Sequence, residues 1–209
     1  MAAQRFLRDK KVKVVGITGG VGAGKSEVLK LIKEMTDCVI ILADDLARSL
    51  EKKGEVCYEP LIDLLGKEIL SDDGEIDSAK MAGVIFAEGR KDKLEAVNKI
   101  VHPAVKTRIL ELIEEAKSEG KVSFFFIEAA LLIEDHYDLI VDEMWYIFAT
   151  EEVRSRRLSQ SRGYSTEKIA GIMQSQSADE VFRKYCKVVI DNSGTIEQTR
   201  RQLKEVLNR

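Results

Sequence analysis

The residues that could do chemistry begin in the segment GITGGVGAGKS, residues 16–26. Its last eight positions fit the pattern G-x-x-x-x-G-K-[ST]; they are Gly19, Gly20, Val21, Gly22, Ala23, Gly24, Lys25 and Ser26. Glycines let a loop curl until successive backbone N–H groups point at one anion, and a following helix adds its positive dipole end. Lys25 could then reach the β- and γ-phosphates of a nucleotide, and the Ser26 hydroxyl could hold Mg²⁺. The alternative is a strand-to-helix turn without a ligand.

Three carboxylates stand where apolar segments end. Asp44 and Asp45 follow CVIIL, and Glu128 ends FFFIE. Groups at the carboxyl ends of parallel strands face the phosphates in this kind of sheet, where a carboxylate can orient a metal-bound water or act as a base. We favour a helix N-cap or first-turn acid for Asp45. On spacing alone, both interpretations stay open for Asp44.

A basic cluster follows at Arg154, Arg156, Arg157 and Arg162, with a Gly-Tyr-Ser interruption behind it. The ordinary interpretation is a solvated helix face. The alternative is a lid whose arginines neutralise charge on a transferring phosphoryl group, over residues 151–178.

Apolar runs that alternate with helical patterns must position these groups. The predicted strands are 12–18, 38–42, 122–129, 144–150 and 187–192. Alternation of this kind predicts an α/β fold, a P-loop NTPase-type parallel sheet of about five strands with helices on both faces.

The stretch 55–118 has helical periodicity without a strong strand, broken at SDDGEID and at HP. We interpret it as a helical substrate subdomain that is inserted into a single domain, 1–209. A Pro is well tolerated in the first turn of a helix, so the HP pair predicts a loop histidine, His102, ahead of a new helix at Pro103.

Composition narrows the classes of partner. The chain has 33 basic and 36 acidic side chains and a formal net charge of −3, so we expect no nucleic-acid partner. No apolar run reaches the length of a membrane span, and the N-terminus lacks the apolar core of a secretory signal. Three widely spaced cysteines without a CxxC pair predict a reducing, cytoplasmic setting.

Several segments match, in order, those of a known family. GITGGVGAGKS is similar to LTGGIGSGKS, ILADDLAR to IDADxIAR, EAALLIE to D.PLLFE, and VIDNSG to VIDN.G; DGEID…LEAVNKIVHP and RL…GYS…I…Q have counterparts as well. Nearly end to end, the sequence resembles the dephospho-coenzyme A kinase family. The resemblance implies transfer of the γ-phosphoryl group of ATP to the ribose 3′-hydroxyl of dephospho-coenzyme A, with Mg²⁺, by a chain that we expect to be a monomer, with an oligomer left open.

The resemblance also implies residue roles. Asp44 matches the base, Lys25 and Ser26 the ATP and Mg²⁺ groups, and Arg157 the lid arginine on the phosphates. Further matches fall on the substrate groups and on the stretch near the adenine; they are Arg48, His102, Glu128 and Asn192.

The sequence departs from the family pattern at four places. Leu42 replaces the first Asp of DAD, Glu128 the usual Asp, and Ala130 the usual Pro. The family's second lid arginine aligns with Ser161, while Arg162 sits one position further on.

Two rival functions share parts of this pattern. A nucleoside or nucleoside monophosphate kinase also has the glycine-rich loop, the lid and a helical insertion. A nucleotide-binding switch has the loop, but does not need ADxxAR beside the phosphates. A substrate panel separates these classes.

Overall fold

In this computed structural model, residues 12–87, 91–176 and 179–209 are described. Five strands in this part form one sheet in the order β2-β3-β1-β4-β5, and β1 pairs in parallel with β3 and β4, as β4 does with β5. The strands are β1 (Lys13–Thr18), β2 (Cys38–Leu42), β3 (Phe124–Glu128), β4 (Glu143–Phe148) and β5 (Val188–Asp191). The predicted α/β fold and its five strands are confirmed.

Helices follow or separate these strands. They are α1 (Lys25–Met35), α2 (Ala43–Leu50), α3 (Tyr58–Leu65), α4 (Ser78–Ile85), α5 (Lys91–Glu119), α6 (Glu151–Arg162), α7 (Thr166–Gln174), α8 (Asp179–Tyr185) and α9 (Ile196–Leu207). Short 3₁₀ turns occur at Lys67–Ile69 and Tyr137–Leu139. None of the helices in the described ranges is long and apolar enough to cross a bilayer.

The chain divides into two compact units. One comprises the residues up to Ile40 together with Ile113–Arg209, and it holds the sheet core. The strands are buried there as near-continuous apolar runs, which is how a sheet covered on both faces reads in sequence. Trp145 is fully buried, and its ring meets that of Phe126 edge-on at 5.5 Å between centroids.

The other unit, Ile41–Leu112, is mainly helical. Asp77 caps α4, because its side chain accepts from the backbone N–H groups of Ala79 and Lys80 at 2.8 and 2.9 Å. One antiparallel bridge, Leu70 to Ile76, closes the turn ahead of it.

The break predicted at HP is wrong. His102 and Pro103 lie inside α5, which runs without interruption over 29 residues. Proline removes one intrahelical hydrogen bond at an interior position. The buried side chains Val97, Val101 and Val105 continue on one face across the proline, so packing outweighs the local preference for a helix start.

The Gly-Tyr-Ser interruption between α6 and α7 is present. Gly163 follows α6 with φ 62°, the left-handed conformation that commonly ends helices. The Ser165 side chain then caps α7 by accepting from the backbone N–H of Lys168 at 3.3 Å.

Candidate active site

The glycine-rich loop joins β1, the central strand, to the start of α1. Gly22 and Gly24 have φ values of 82° and 88°, which side chains rarely adopt. A Cβ on Gly24 would also lie 2.4 Å from Nδ2 of Asn192. The backbone N–H of Ala23 bonds to the Gly20 carbonyl at 3.1 Å. The loop thus curls as an anion-binding loop must, directly before a helix N-terminus.

Lys25 folds back over the loop that precedes it. Its Nζ donates to the Gly19 carbonyl at 2.8 Å and lies 3.4 Å from Oε1 of Glu128. Both charged side chains are more than four-fifths buried, at 17% and 18% exposed. Ser26 is exposed in the first turn of α1. An ammonium at the head of the loop and an accessible hydroxyl at the helix start suit a triphosphate with Mg²⁺.

Arg157 and Asn192 hold the second half of the loop. One Arg157 guanidinium nitrogen donates to the Ala23 carbonyl at 3.1 Å and the other to the Asn192 carbonyl at 2.8 Å. Nδ2 of Asn192 also donates to Ala23, at 2.9 Å, and its Oδ1 accepts from the Thr199 hydroxyl at 2.9 Å. Asn192 and Thr199 are both buried. The Asn192 side chain therefore links the loop at Ala23 to Thr199 of α9.

Arg154 is a residue whose role sequence reasoning missed. Its Nε donates to the Val21 carbonyl at 2.9 Å, and its guanidinium also donates to Oε1 of Gln176. The same Gln176 oxygen accepts from the Val21 N–H at 3.3 Å. A solvated face describes Arg156 and Arg162, which are exposed, but not Arg154. The available signal was its i,i+3 spacing from Arg157, because residues three apart on a helix share a face.

Asp44, Asp45 and Arg48 all lie on α2, in the unit Ile41–Leu112. Asp45 pairs with Arg48 at 2.6 Å, and this hydrogen bond raises the pKa of the arginine. Asp44 is exposed in the first turn. The two adjacent carboxylates therefore differ in their interactions, since Asp45 pairs with a cation of its own helix. His102, in the same unit, is partly buried within α5.

Arg48 also borders a cavity of about 470 Å³ within this unit. Charged residues of both signs border it; the lining consists of Arg48, Glu51, Lys52, Glu75, Ile76 and Ser78. Burial raises the pKa of the Glu51 carboxyl, and the nearby Arg48 partly offsets this shift. The volume falls in the range of small-molecule sites.

The structure brings several of the predicted residues together around one loop. Within the unit that carries the sheet these are the loop itself, Glu128, Arg157 and Asn192. A phosphate loop between the central strand and its helix, contacted by two arginines of α6, defines the chain as a P-loop kinase.

Comparison with known proteins gives the particular family. The family model described as dephospho-CoA kinase matches residues 13–198. A dephospho-CoA kinase of Carboxydothermus hydrogenoformans is 37% identical over 94% of this chain and 93% of its own length. One of Enterococcus faecalis is 33% identical over 93% and 96%.

Solved structures share the fold of this chain. A Thermus thermophilus protein has a TM-score of 0.76 at 29% identity, over 95% of this chain and 98% of that chain. A dephospho-CoA kinase from Campylobacter jejuni has the same fold, with a TM-score of 0.70 at 21% identity over 93% and 95%. The chain belongs to the dephospho-CoA kinase family.

Proposed function

We propose how the residues of this chain divide the work of its reaction, the phosphorylation of dephospho-coenzyme A with ATP that completes coenzyme A synthesis. The γ-phosphoryl group passes to the ribose 3′-hydroxyl. The loop of residues 19–26 binds the triphosphate, and Asp44 accepts the proton of the attacking hydroxyl. Such a reaction needs mainly positioning and charge stabilisation from the protein.

The observation that carries the proposal is the placement of Lys25. Its Nζ lies over the head of the loop, 2.8 Å from the Gly19 carbonyl, with Glu128 fixing it from β3. The ammonium is thus held beside the position where β- and γ-phosphates bind. The Ser26 hydroxyl would hold Mg²⁺, which supplies neutralisation of the triphosphate charge when it is bound.

Arg157 and Asn192 act at the other end of the loop. Through Ala23 they fix the backbone that leads into α1, and Arg157 adds positive charge there. ATP binding therefore depends on both residues, Arg157 by charge and Asn192 by the shape of the loop.

Asp44 is the proposed base because the neighbouring carboxylate is already engaged. Both carboxylates are exposed, but Asp45 pairs with Arg48, whereas Asp44 matches the acidic residue of ADxxAR. Arg48, His102 and Glu128 are proposed to bind the acceptor, with the cavity beside Arg48 receiving part of it. We assign the acceptor to the helical stretch 55–118 and the lid to 151–178.

The setting of the enzyme is part of the proposal. Cys38, Cys57 and Cys186 are all free thiols, which supports a reducing cytoplasm. We propose that a monomer with no nucleic-acid partner carries out the reaction.

A coupled assay of ADP release tests the function. Dephospho-coenzyme A is compared with adenosine, AMP and other nucleoside monophosphates at equal concentration, with and without a chelator. Among these acceptors, we expect turnover only with dephospho-coenzyme A, and we expect excess chelator to abolish it. Faster turnover with a nucleoside monophosphate would assign the chain to that class of kinase instead. ATP hydrolysis that no acceptor accelerates would favour the switch.

A further inference from the structure

Two arginines on one face of α6 hold different parts of the phosphate loop. Arg154 bonds to the Val21 carbonyl, and Arg157, three residues later, bonds to the Ala23 carbonyl. The two contacts are not equivalent, because the loop has two chemically distinct ends.

The head of the loop is its γ-phosphate end. Lys25 reaches back to the Gly19 carbonyl there, and the lysine of such loops serves the β- and γ-phosphates. The tail of the loop, at Ala23, leads into the N-terminus of α1, whose backbone N–H groups bind the inner phosphates. Arg154 therefore belongs to the γ-phosphate end and Arg157 to the inner end.

The basic side chains that follow position 161 in the described part of the lid lie by the Tyr164 ring; Nζ of Lys168 is 3.8 Å from its centre. Position 161, where the family has its second lid arginine, is a serine whose hydroxyl donates to the Arg157 carbonyl of its own helix at 2.6 Å. Arg162 is exposed, and its guanidinium lies 5.9 Å from the centre of the Tyr164 ring. Arg154, on the same helix, does contact the loop.

Arg154 has its guanidinium at the γ-phosphate end of the loop, in a fixed orientation. Its guanidinium packs on Gly20 so closely that a Cβ there would lie 2.5 Å from Cζ. Its contacts with Val21 and Gln176 fix the plane of the group while using two of its five N–H donors. The Gln176 amide oxygen accepts from a guanidinium and from the Val21 N–H together, a pair of donors that also suits a phosphate oxygen.

We propose that Arg154 contacts the γ-phosphoryl group of ATP, replacing the arginine missing at position 161, and that Gln176 is the positioning residue that holds it over the loop. The inference deepens the proposed function and rests on its assignment of residues 19–26 to the triphosphate. Without nucleotide, Gln176 holds Arg154 and the Val21 N–H in place. When ATP binds, an oxygen of its γ-phosphate replaces the Gln176 oxygen as the acceptor of these donors. Since a guanidinium at this place meets charge that builds during transfer, Arg154 serves turnover as well as binding.

The test compares ATP with ADP, which differ only in the γ-phosphate. Affinities are measured by calorimetry with Mg²⁺ and without acceptor, for the wild type, Arg154→Met and Arg157→Met. Loss of a charge-assisted contact predicts roughly 10- to 100-fold weaker ATP binding in Arg154→Met, with ADP affinity nearly unchanged. Arg157→Met is expected to weaken both nucleotides by a similar factor. Arg156→Met, which removes an exposed charge from the same helix, is the matched control and retains the wild-type ratio.

Two further variants separate contact from folding. Arg154→Lys keeps the charge without the planar fork, so its ATP-to-ADP affinity ratio is expected to fall between those of the wild type and Arg154→Met. Gln176→Glu places a carboxylate against Arg154 and should selectively weaken ATP, because an anion now competes with the γ-phosphate. Equal losses for ATP and ADP in Arg154→Met would overturn the inference, as would no loss for either nucleotide. Absence of turnover with dephospho-coenzyme A in the wild type would instead overturn the proposed function. The ATP-to-ADP affinity ratios would still decide whether Arg154 contacts the γ-phosphate.

Discussion

Nζ of Lys25 lies 3.4 Å from Oε1 of Glu128, so the loop lysine is held by a carboxylate from the neighbouring strand. Both groups are largely buried, so this pair is less screened than a surface pair. The carboxylate fixes the ammonium over the loop, and the loop lysine does not have to be ordered anew when a nucleotide binds.

Lys25→Met should reduce turnover by about 10²-fold or more while leaving the fold intact, because the ammonium stabilises charge on the transferring group. Methionine keeps the length and apolar stem of lysine. The measurement is ADP release beside circular dichroism. Lys30→Met, 72% exposed on the same helix, is the control and should behave as the wild type does. Substantial activity in Lys25→Met would contradict the assignment of the loop.

Asp44→Asn should lower turnover with dephospho-coenzyme A by roughly 10²-fold or more, in line with the contribution of a general base. Asparagine keeps the shape of the side chain and removes the charge that accepts the proton. ATP affinity, measured by calorimetry, should change little. Asp45→Asn is the matched control, because Asp45 is paired with Arg48, and it should cost far less. If Asp45→Asn proves to be the impaired variant, the base is the second carboxylate of the pair.

Asn192→Asp should destabilise the protein by about 1–3 kcal/mol, because a carboxylate cannot donate to the Ala23 carbonyl and leaves two oxygens facing each other in a buried place. ATP affinity should fall as well. Thr199→Val removes the bond to Oδ1 of Asn192 and a longer one to the Thr195 carbonyl but leaves the Ala23 bond in place, so it should lower stability while largely sparing ATP binding. Urea denaturation and calorimetry on both variants give the comparison. Equal losses of ATP affinity would show that the Ala23 bond has no special role.

Stability should decline on the alkaline side. Burial raises the pKa of the Cys186 thiol from 9.0 to about 12, and burial, with Asp135 nearby, raises the pKa of Tyr137 from 10.0 to about 12. Above pH 9 the unfolded chain releases protons that the folded chain keeps, so the stabilisation present below that pH is lost as pH rises towards 12. Urea midpoints measured from pH 8 to pH 11 should therefore fall. Cys186→Ala should show a shallower decline, and an identical slope would remove the thiol from the explanation.

The sheet could be predicted from sequence because its strands are apolar runs between turn residues. VKVVGIT, which is buried in the structure, and CVIIL, which is only partly buried at the edge of the sheet, both show this pattern without help from long-range contacts. The predictions 12–18, 122–129 and 187–192 extend one or two residues beyond the observed strands at one or both ends, 144–150 is shifted along the chain, and 38–42 matches. Outer strand residues such as Val12 are buried without joining the ladder, so hydrophobicity alone does not mark where pairing stops.

His102 and Pro103 show where local rules fail. Proline is a strong local sign of a helix start, yet α5 continues through it. Whether the helix continues through Pro103 depends on which side chains it buries over several turns. A local signal at one residue carries no information on that burial. A scan of the valine spacing on both sides of the proline would have favoured one helix.

Arg154 was hidden for a different reason. Basic residues crowd its helix, and composition does not say which of them turn inward. The Val21 and Gln176 contacts join residues 133 and 22 positions away from it, so only the tertiary structure distinguishes Arg154 from the exposed Arg156.

The bond from Asn192 to Ala23 joins residues 169 positions apart. During synthesis the glycine-rich loop therefore leaves the ribosome well before the segment after β5 that supports it. At about 5–20 residues per second the interval is roughly 10 to 30 s. A nascent chain thus carries its nucleotide loop for that time without the Asn192 contact, and we expect its affinity for ATP to rise once Asn192 has been added.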